Sequence, residues 1–201
     1  MNGFTIKIES SAKHVHLNKE DVEALFGKGY VLTNKRDLSQ PGEFLSNERV
    51  ALEGSKGKLE NVAVLGPERK ATQVELSFTD ARALGLTVPV RESGDVEGSS
   101  PVTIIGPEGR LDLTEGAIAA KRHVHFVTAD AEAHGIKNKD IIKVKVKGER
   151  AVIFDEVVAR VSDNFATYMH IDYDETNAAG ITGEAEGTVI LKDWGKGHGG
   201  A

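Results

Sequence analysis

Short runs of apolar residues, often alternating with polar ones, recur along the chain and predict β-strands. They are rich in Val, Ile and Thr, they are separated by Gly, Pro, Asn or Asp turns, and they read FTIKIE, VAVLG, TQVELS, PVTIIG, IIKVKVKG, AVIFDEVVARV and TVIL. Helical patterns are fewer and shorter. They cover residues 18–27, 79–85 and 128–135, where Asn or Thr precedes acidic residues and a glycine ends the pattern. The pattern therefore predicts a mainly β, barrel-like architecture with short capping helices.

One stretch of the chain occurs twice, at an offset of 109 residues. KHVHLNKEDVEALF (13–26) aligns with RHVHFVTADAEAHG (122–135), and both copies read as a strand, a cap and a short helix. The matching positions are His14 and His123, Val15 and Val124, His16 and His125, Asp21 and Asp130, Glu23 and Glu132, and Ala24 and Ala133. This internal repeat predicts two related halves.

Composition narrows the class of protein and its location. With 25 basic and 31 acidic residues the net charge is −6, which argues against a general nucleic-acid-binding protein. The chain has no run of 18 apolar residues, so we expect no membrane span. The N-terminus alternates like a strand and lacks the layout of a secretion signal, so we expect a cytoplasmic protein.

The two His-Val-His segments are candidate metal claws. The chain has seven histidines and no cysteine, so a metal has to be held by imidazole and carboxylate groups. In an extended strand, residues i and i+2 point to the same face, which places two imidazoles together and turns Val15 or Val124 toward a core. Such a pair suits Zn²⁺ or a similar metal. The alternative is that these are surface histidines on a polar face.

A metal site needs a third ligand, and the residues alone leave several candidates. Glu75 lies on the polar side of the alternating segment TQVELS. His170 lies beside Asp172 and Asp174. Two further histidines are weaker candidates, one at the end of a short helix and one in the glycine-rich tail: His134 and His198.

Several motifs, met in the same order, resemble one known family. They are KHVHL, GPERKATQVELS, PVRESGD, GPEG, AAKRHVHF and MHIDYDETNAA. Together they resemble the phosphotransacylases found in propanediol-utilising microcompartments, which are called phosphate propanoyltransferases. The resemblance extends from about residue 5 to about residue 190, nearly the whole chain.

The resemblance implies a fold of two β-barrels whose strands are exchanged, so that neither barrel is a contiguous segment. The expected boundaries are 13–26 with about 48–120 for the central barrel, about 3–12 with 121–190 for the second, and 191–201 for a tail. The resemblance also implies a homodimer. Only 13 residues precede His14, and they read as a strand rather than as the amphipathic extension that targets a protein into a microcompartment. We therefore expect a free cytoplasmic enzyme, or a chain whose targeting extension has been removed, and association with a microcompartment stays open as the alternative.

The resemblance further implies a site with two zinc ions and an activity that moves a propanoyl or acetyl group between coenzyme A and inorganic phosphate. The residues that match the family's first metal site are His14, His16 and Glu75, and those that match its second are His123, His125 and His170. Arg69 matches the arginine that receives phosphate. Four cations near the motifs are candidates for binding the phosphates of coenzyme A, unless they are solvated surface charges: Lys13, Lys70, Lys121 and Arg122.

Three protein ligands leave a zinc ion with an open position, which is typical of a catalytic site. We expect phosphate to attack the thioester directly, because the chain lacks a cysteine nucleophile and a Gly-x-Ser-x-Gly elbow. Two alternatives stay open. One is a dinuclear zinc hydrolase that acts on an ester or thioester, and the other is a metal-binding protein without catalytic activity. The metal itself could also be Co, Mn or Fe, because histidine ligands suit all of them.

Overall fold

A computed structural model describes residues 3–191. The chain divides into two compact units. One unit, here called the interrupted unit, consists of residues 3–10 and 122–191. The other, the continuous unit, consists of residues 11–121.

Strands dominate both units, and the helices are short. In chain order the elements are β1 (Gly3–Ser11), β2 (His14–His16), α1 (Lys19–Phe26), β3 (Asn34–Asp37), β4 (Phe44–Glu53), β5 (Lys58–Gly66), β6 (Gln73–Glu75), α2 (Phe78–Leu84), β7 (Val90–Arg91), β8 (Ser100–Ile105), β9 (Arg110–Ala120), β10 (His123–Phe126), α3 (Thr128–Ala133), β11 (Ile141–Val146), β12 (Val152–Val161), β13 (Tyr168–Asp172), α4 (Tyr173–Ala179) and β14 (Ala185–Ile190). The mainly β class with short helices is confirmed.

The continuous unit is built on a closed ring of six strands. The hydrogen-bonded order is β4, β5, β2, β6, β9 and β8, and β8 pairs again with β4. Two short strands lie outside the ring, β3 against β4 and β7 against β9. Its core is aliphatic and includes Val15, Leu52, Val64, Val74 and Ile104, all fully buried. Closure of the ring leaves no exposed edge between its six strands.

The interrupted unit forms a second closed barrel, in the order β1, β13, β10, β12, β11 and β14. Here the first strand of the chain pairs with the last, from Gly3 opposite Ile190 to Ile8 opposite Ala185. Its core contains Val124, Phe126 and Met169, again fully buried. The two-barrel architecture is therefore confirmed, but the resemblance implied that neither barrel is contiguous. The contact pattern makes only this one discontinuous, because residues 11–121 supply every strand of the other ring.

The internal repeat is also present in the pairing of the strands, beyond the residues that match in the sequence. β2 lies between a parallel neighbour, β5, and an antiparallel neighbour, β6. β10 likewise lies between parallel β12 and antiparallel β13. In the two antiparallel pairs, His14 is opposite Glu75 and His123 is opposite His170. Equivalent register positions of the two barrels thus carry the third member of each candidate metal site.

Two glycine turns of the continuous unit close against the ends of helices. In the turn after β4, a Cβ on Gly54 would lie 2.2 Å from the carbonyl oxygen of Leu84, the last residue of α2. In the turn after β8, a Cβ on Gly106 would lie 2.4 Å from the carbonyl oxygen of Leu25 in α1. Both turns therefore require glycine so that the backbones can approach.

The three predicted helices are present as α1, α2 and α3, whereas α4 was not predicted. Its start is a capping box, in which Asp172 accepts from the Glu175 backbone and the Glu175 side chain accepts from the Asp172 backbone. Its end is Gly180 in the left-handed conformation. Of the predicted tail, 191–201, only the first residue is described, and residues 192–201, including His198, lie outside the described residues. Among the described residues, no helix is long and apolar enough to cross a membrane.

Candidate metal centre and anion site

Three side chains converge at the centre of the continuous unit's barrel wall. The ligand atoms of His14, His16 and Glu75 all lie within 4.8 Å of one another. His14 Nε2 is 3.4 Å from Glu75 Oε2, and His16 Nε2 is 3.9 Å from Glu75 Oε1. The arrangement follows from the register, because Glu75 lies opposite His14 on the neighbouring strand and the two histidines share one face of β2.

β2 is paired with β5 on one side and β6 on the other, and the ring of His14 also has a backbone partner. Val15 points into the aliphatic core and is fully buried, as the alternation predicted. His14 Nδ1 is 2.8 Å from the carbonyl oxygen of Ala12. A carbonyl only accepts, so Nδ1 carries the hydrogen, and Nε2 faces Glu75, where it donates to the carboxylate when the ring is protonated and offers a lone pair to a metal when the ring is neutral. A backbone acceptor behind a histidine is the usual support of a metal ligand.

The carboxylate of Glu75 is oriented by two neighbours. Gln73 Nε2 donates to Glu75 Oε1 over 2.6 Å, and Ser93 Oγ donates to the same oxygen over 2.9 Å. Gln73 is held in turn, because its Oε1 accepts from the backbone N–H of Gly94 over 2.7 Å. With Oε1 occupied in this way, Oε2 is the atom left facing His14.

Charges inside the site perturb the titration of all three groups. Burial opposes the charged form of His14, but the Glu75 carboxylate outweighs it and raises the pKa of His14 above 6.5. Burial also opposes ionisation of Glu75, yet the neighbouring His14 holds the pKa of that carboxyl far below its ordinary value. Burial, together with the positive charges of His14 and Arg69, keeps the pKa of His16 well below 6.5. Without a metal, the centre therefore contains an ion pair beside a neutral imidazole.

The donor set fits zinc. In a tetrahedral site with zinc–ligand distances of about 2.0–2.1 Å, the ligand atoms lie roughly 3.3 Å apart. The separation of 3.4 Å between His14 Nε2 and Glu75 Oε2 matches that spacing, and the ligand atoms of all three residues lie within 4.8 Å of one another. Two imidazoles and one carboxylate are ligands typical of catalytic zinc.

Arg69 lies beside this centre, linked to it through the hydroxyl of Ser93. Its backbone N–H donates to Leu17 O over 2.8 Å, which fixes the turn after β5. Its guanidinium donates from Nη1 to Ser93 Oγ over 3.1 Å and from Nη2 to Glu43 Oε1 over 3.0 Å. Ser93 thus accepts from Arg69 and donates to Glu75, so one hydroxyl joins the arginine to the carboxylate of the triad.

The interrupted unit also brings its three candidate histidines together, although among the described residues only His14, His16 and Glu75 have ligand atoms that all lie within 4.8 Å of one another. The ring centroids of His123, His125 and His170 lie 4.7–5.3 Å apart. Outside this trio, His170 Nδ1 is 3.5 Å from a carboxylate oxygen of Glu9 in β1. Phe165 stacks on His125 with centroids 4.2 Å apart. Three imidazoles supported by a carboxylate are a second donor set that suits zinc.

The four cations predicted to bind coenzyme A differ in their surroundings. Lys13 Nζ is 3.1 Å from Asp80. Arg122 donates to Glu175 over 2.6 Å and to the Asp155 carbonyl over 2.7 Å, so its donors already serve its own unit. The other two cations are an exposed residue next to Arg69 and a half-buried one at the end of β9: Lys70 and Lys121.

Three residues of the site were not predicted from the sequence. Gln73 and Ser93 were not singled out, although Gln73 shares the polar face of β6 with Glu75. Glu43 was missed as well, because it lies in a turn 26 residues before Arg69, its hydrogen-bond partner. No local pattern points to Glu43, which the pairing of β4 with β5 brings to Arg69, and Ser93 was visible only as one residue of the motif PVRESGD.

Fold and site together define a class of mainly β proteins that are built from two six-stranded barrels, each with a cluster around its His-Val-His strand. A family model described as phosphate propanoyltransferase matches residues 7–182. The chain therefore belongs to the phosphate propanoyltransferase family, a family of acyltransferases, and the resemblance drawn from the motifs is confirmed.

Individual relatives agree with the family model. A phosphate propanoyltransferase of Thermotoga maritima is 54% identical over 170 residues, which cover 84% of this chain and 81% of the relative. Another, from Listeria monocytogenes, is 50% identical over 187 residues, covering 93% and 88%. A third, from Enterococcus faecalis, is 50% identical over 186 residues, covering 92% and 88%.

Proposed function

We propose that this protein transfers a propanoyl or acetyl group between coenzyme A and inorganic phosphate, at a site that uses two zinc ions per chain. One zinc is held by His14, His16 and Glu75. The other is held by the equivalent cluster in the interrupted unit, which consists of His123, His125 and His170. Family membership supports the reaction, and the two donor sets support the metals.

The observation that carries the proposal is the position of Arg69. Its guanidinium lies one hydroxyl away from the carboxylate of Glu75, and its positive charge opposes protonation of both His14 and His16. A guanidinium presents a planar set of five donors that matches phosphate. Arg69 therefore binds the phosphate that enters the site and holds it beside the first metal.

The chain's own groups mainly supply position and charge. Ser93 and Gln73 keep Glu75 in place, while Arg69 orients a phosphate oxygen toward the thioester carbonyl. That oxygen attacks the carbonyl carbon, a C–O bond forms, the C–S bond breaks, and coenzyme A leaves as a thiolate. A bound zinc supplies a Lewis acid for the carbonyl and a soft partner for the sulfur.

The attack is direct, without an acyl-enzyme. The chain has no cysteine, and the described polar groups around the triad serve to hold Glu75 and Arg69 rather than to act as an activated nucleophile. Incubation with radiolabelled propanoyl-CoA in the absence of phosphate should leave the protein unlabelled. A stoichiometric acyl label that phosphate then discharges would refute the direct attack.

Arg69→Ala tests the assignment of phosphate. We expect the rate of phosphate-dependent thiol release from propanoyl-CoA to fall by about 100-fold or more, because the loss of a charged donor pair that orients the nucleophile costs several kcal/mol. Zinc content, measured by inductively coupled plasma mass spectrometry, should not change. The matched control is Arg82→Ala, which removes an exposed arginine of α2 in the same unit.

The same assay separates the transferase from a zinc hydrolase. Thiol release by the wild-type protein should require phosphate and should yield propanoyl phosphate in equal amount. Release at the same rate without phosphate would favour a hydrolase. An Arg69→Ala variant that had lost its zinc would instead make Arg69 a structural residue.

We further propose that Lys70, next to Arg69, and Lys121, at the end of β9, contribute to binding the phosphates of coenzyme A, whereas Lys13 and Arg122 pair with carboxylates of their own units. Lys70 is exposed beside Arg69, and Lys121 lies at the end of the strand that leads into β10. Lys70→Ala and Lys121→Ala should each raise KM for propanoyl-CoA about three- to tenfold without changing KM for phosphate, since each removes one charge contact to a phosphate of the cofactor.

A further inference from the structure

The carboxylate of Glu43 is hydrogen-bonded to the guanidinium of Arg69, the group that is proposed to bind phosphate. Glu43 Oε1 accepts from Arg69 Nη2 over 3.0 Å, and each side chain keeps about a third of its surface exposed, at 35% and 34%. The pair is therefore open to solvent and to an incoming ligand. An anion of the chain itself already lies at the anion site.

This pairing is built into the backbone rather than left to two mobile surface side chains. The Glu43 N–H donates to Gln40 O over 3.1 Å, and the Glu43 carbonyl accepts from the Leu38 N–H over 3.0 Å, so a closed turn holds the residue. The next residue, Phe44, begins β4 and lies opposite Gly66, from which the chain turns toward Arg69. The ladder between β4 and β5 therefore brings the two side chains together.

The contact has opposite effects on the two states of the site. In the absence of phosphate, Glu43 and Ser93 hold the guanidinium from two sides and keep it oriented. When phosphate arrives, a carboxylate next to the same guanidinium repels it and competes for a donor. Each phosphate that binds must therefore displace Glu43 or tolerate its charge.

We propose that Glu43 is a place-holding anion that sets the affinity of Arg69 for phosphate. It occupies Arg69 between turnovers, yields to phosphate, and competes again for the guanidinium when the acyl phosphate leaves. Glu43 is thus a specificity-determining residue that acts through Arg69, and its role rests on the proposed function of Arg69 as the phosphate receptor.

Glu43→Gln isolates the charge, because the amide oxygen still accepts from Arg69 while the negative charge is gone. We expect the dissociation constant for inorganic phosphate, measured by calorimetry on the zinc-loaded protein, to fall about three- to tenfold. KM for phosphate should fall in parallel, whereas KM for propanoyl-CoA and zinc content should not change. Unchanged or weaker phosphate binding would overturn the proposal.

Glu68→Gln is the matched control. It removes an equal charge one residue from Arg69, and in the described part of the chain its carboxylate makes no hydrogen bond or ion pair with the Arg69 guanidinium. Its effect on the phosphate dissociation constant should be less than twofold. An effect as large as that of Glu43→Gln would attribute the change to the general field and would count against a specific role of Glu43.

A double-mutant cycle separates this inference from the proposed function. In an Arg69→Ala background, Glu43→Gln should no longer tighten phosphate binding, because the competition needs the guanidinium. If Arg69→Ala alone leaves phosphate binding unchanged, the phosphate role of Arg69 is wrong. If Arg69→Ala abolishes binding but Glu43→Gln does not alter it in the wild-type background, only the place-holding role is wrong.

Discussion

At the scale of single residues, the hydroxyl of Ser93 connects Arg69, the proposed phosphate-binding residue, with Glu75, the proposed metal ligand. It accepts from Arg69 and from Gln73, and it donates to Glu75. All three bonds are about 3 Å long, so a shift of one side chain is felt by the others. The group proposed to receive phosphate and the group proposed to hold a metal are thereby positioned by the same atom.

The two third ligands give a test at this scale. Glu75→Ala should lower the zinc content by about one equivalent per chain, and His170→Ala should do the same in the other unit, because two remaining ligands rarely retain the metal. The double variant should lose about two equivalents. Metal content is measured on protein dialysed against metal-free buffer.

Glu60→Ala is the control, since it removes an exposed carboxylate that pairs only with Lys58 among the described contacts. Full zinc content in either Glu75→Ala or His170→Ala would remove that residue from the ligand set. Such an outcome would also question the register equivalence on which the second site depends.

The sequence made the ligands visible but not the residues that support them. His14, His16, His123 and His125 are visible because the strand period places i and i+2 on one face. Glu75 and His170 emerged only as candidates, since nothing local distinguishes a ligand from a solvated side chain. The roles of Ser93 and Glu43 could not be predicted, because each depends on strand pairing that brings its turn to Arg69, although Ser93 lies in the motif PVRESGD.

At the scale of elements, a buried carboxylate ties the loop after α1 to β4. Glu48 accepts from the Thr33 backbone and hydroxyl and from the Tyr30 hydroxyl, and it is only 7% exposed. Burial opposes ionisation of Glu48, but these hydrogen bonds outweigh it and lower the pKa of the carboxyl below 4.5. The ionised form is therefore the one that the fold favours.

A lowered pKa in the folded state contributes stability above the unfolded-state pKa, and that stability is lost as pH falls through the folded-state pKa. Glu48→Gln should therefore lower the free energy of unfolding by about 1–3 kcal/mol at pH 7, since hydrogen bonds to a charged acceptor are lost. The difference from wild type should shrink below pH 4.5. Urea denaturation across this pH range measures both effects, and a difference that stays constant would contradict the assignment.

The two glycine turns that close on α1 and α2 give a second test at this scale. Gly54→Ala and Gly106→Ala should each lower the free energy of unfolding by about 2 kcal/mol or more, because the new Cβ would overlap a backbone oxygen at 2.2–2.4 Å. Gly29→Ala is the control. It has a φ of +73° and no atom within 4 Å, so it should cost only about 1 kcal/mol of backbone strain. Equal losses in all three would argue against the close approach.

The helices show where prediction of elements failed and why. α1, α2 and α3 were recognised from Asn or Thr near acidic residues and a closing glycine. α4 has equivalent signals, an Asp172 cap with Glu175 three residues later and Gly180 at its end. It was missed because MHIDYDE was interpreted only for its candidate metal ligands, and the helix-capping signal in the same residues was overlooked.

At the scale of the whole molecule, the two candidate metal centres belong to separate compact units. Each centre joins strands that are distant in sequence, since β2 with β6, and β10 with β13, supply its members. A metal that bridges such strands binds the folded state and not the unfolded chain, so it stabilises its unit.

Removal of zinc should therefore lower the thermal midpoint. A ligand present at 100 times its dissociation constant contributes about 2.7 kcal/mol, which corresponds to a decrease of roughly 5–10 °C for a chain of this size. Differential scanning calorimetry before and after chelation measures the shift, and added zinc should restore the midpoint. An unchanged midpoint in protein shown to be free of metal would contradict a bridging role.

The pairing of β1 with β14 has a consequence for the synthesis of the protein. β1 is translated before every other described strand, yet both of its neighbours, β13 and β14, lie beyond residue 167. Residues 11–121 hold every strand of the other barrel and can fold while translation continues. During translation β1 therefore stays unpaired while the barrel of residues 11–121 folds, and it is paired only after β13 and β14 have been translated.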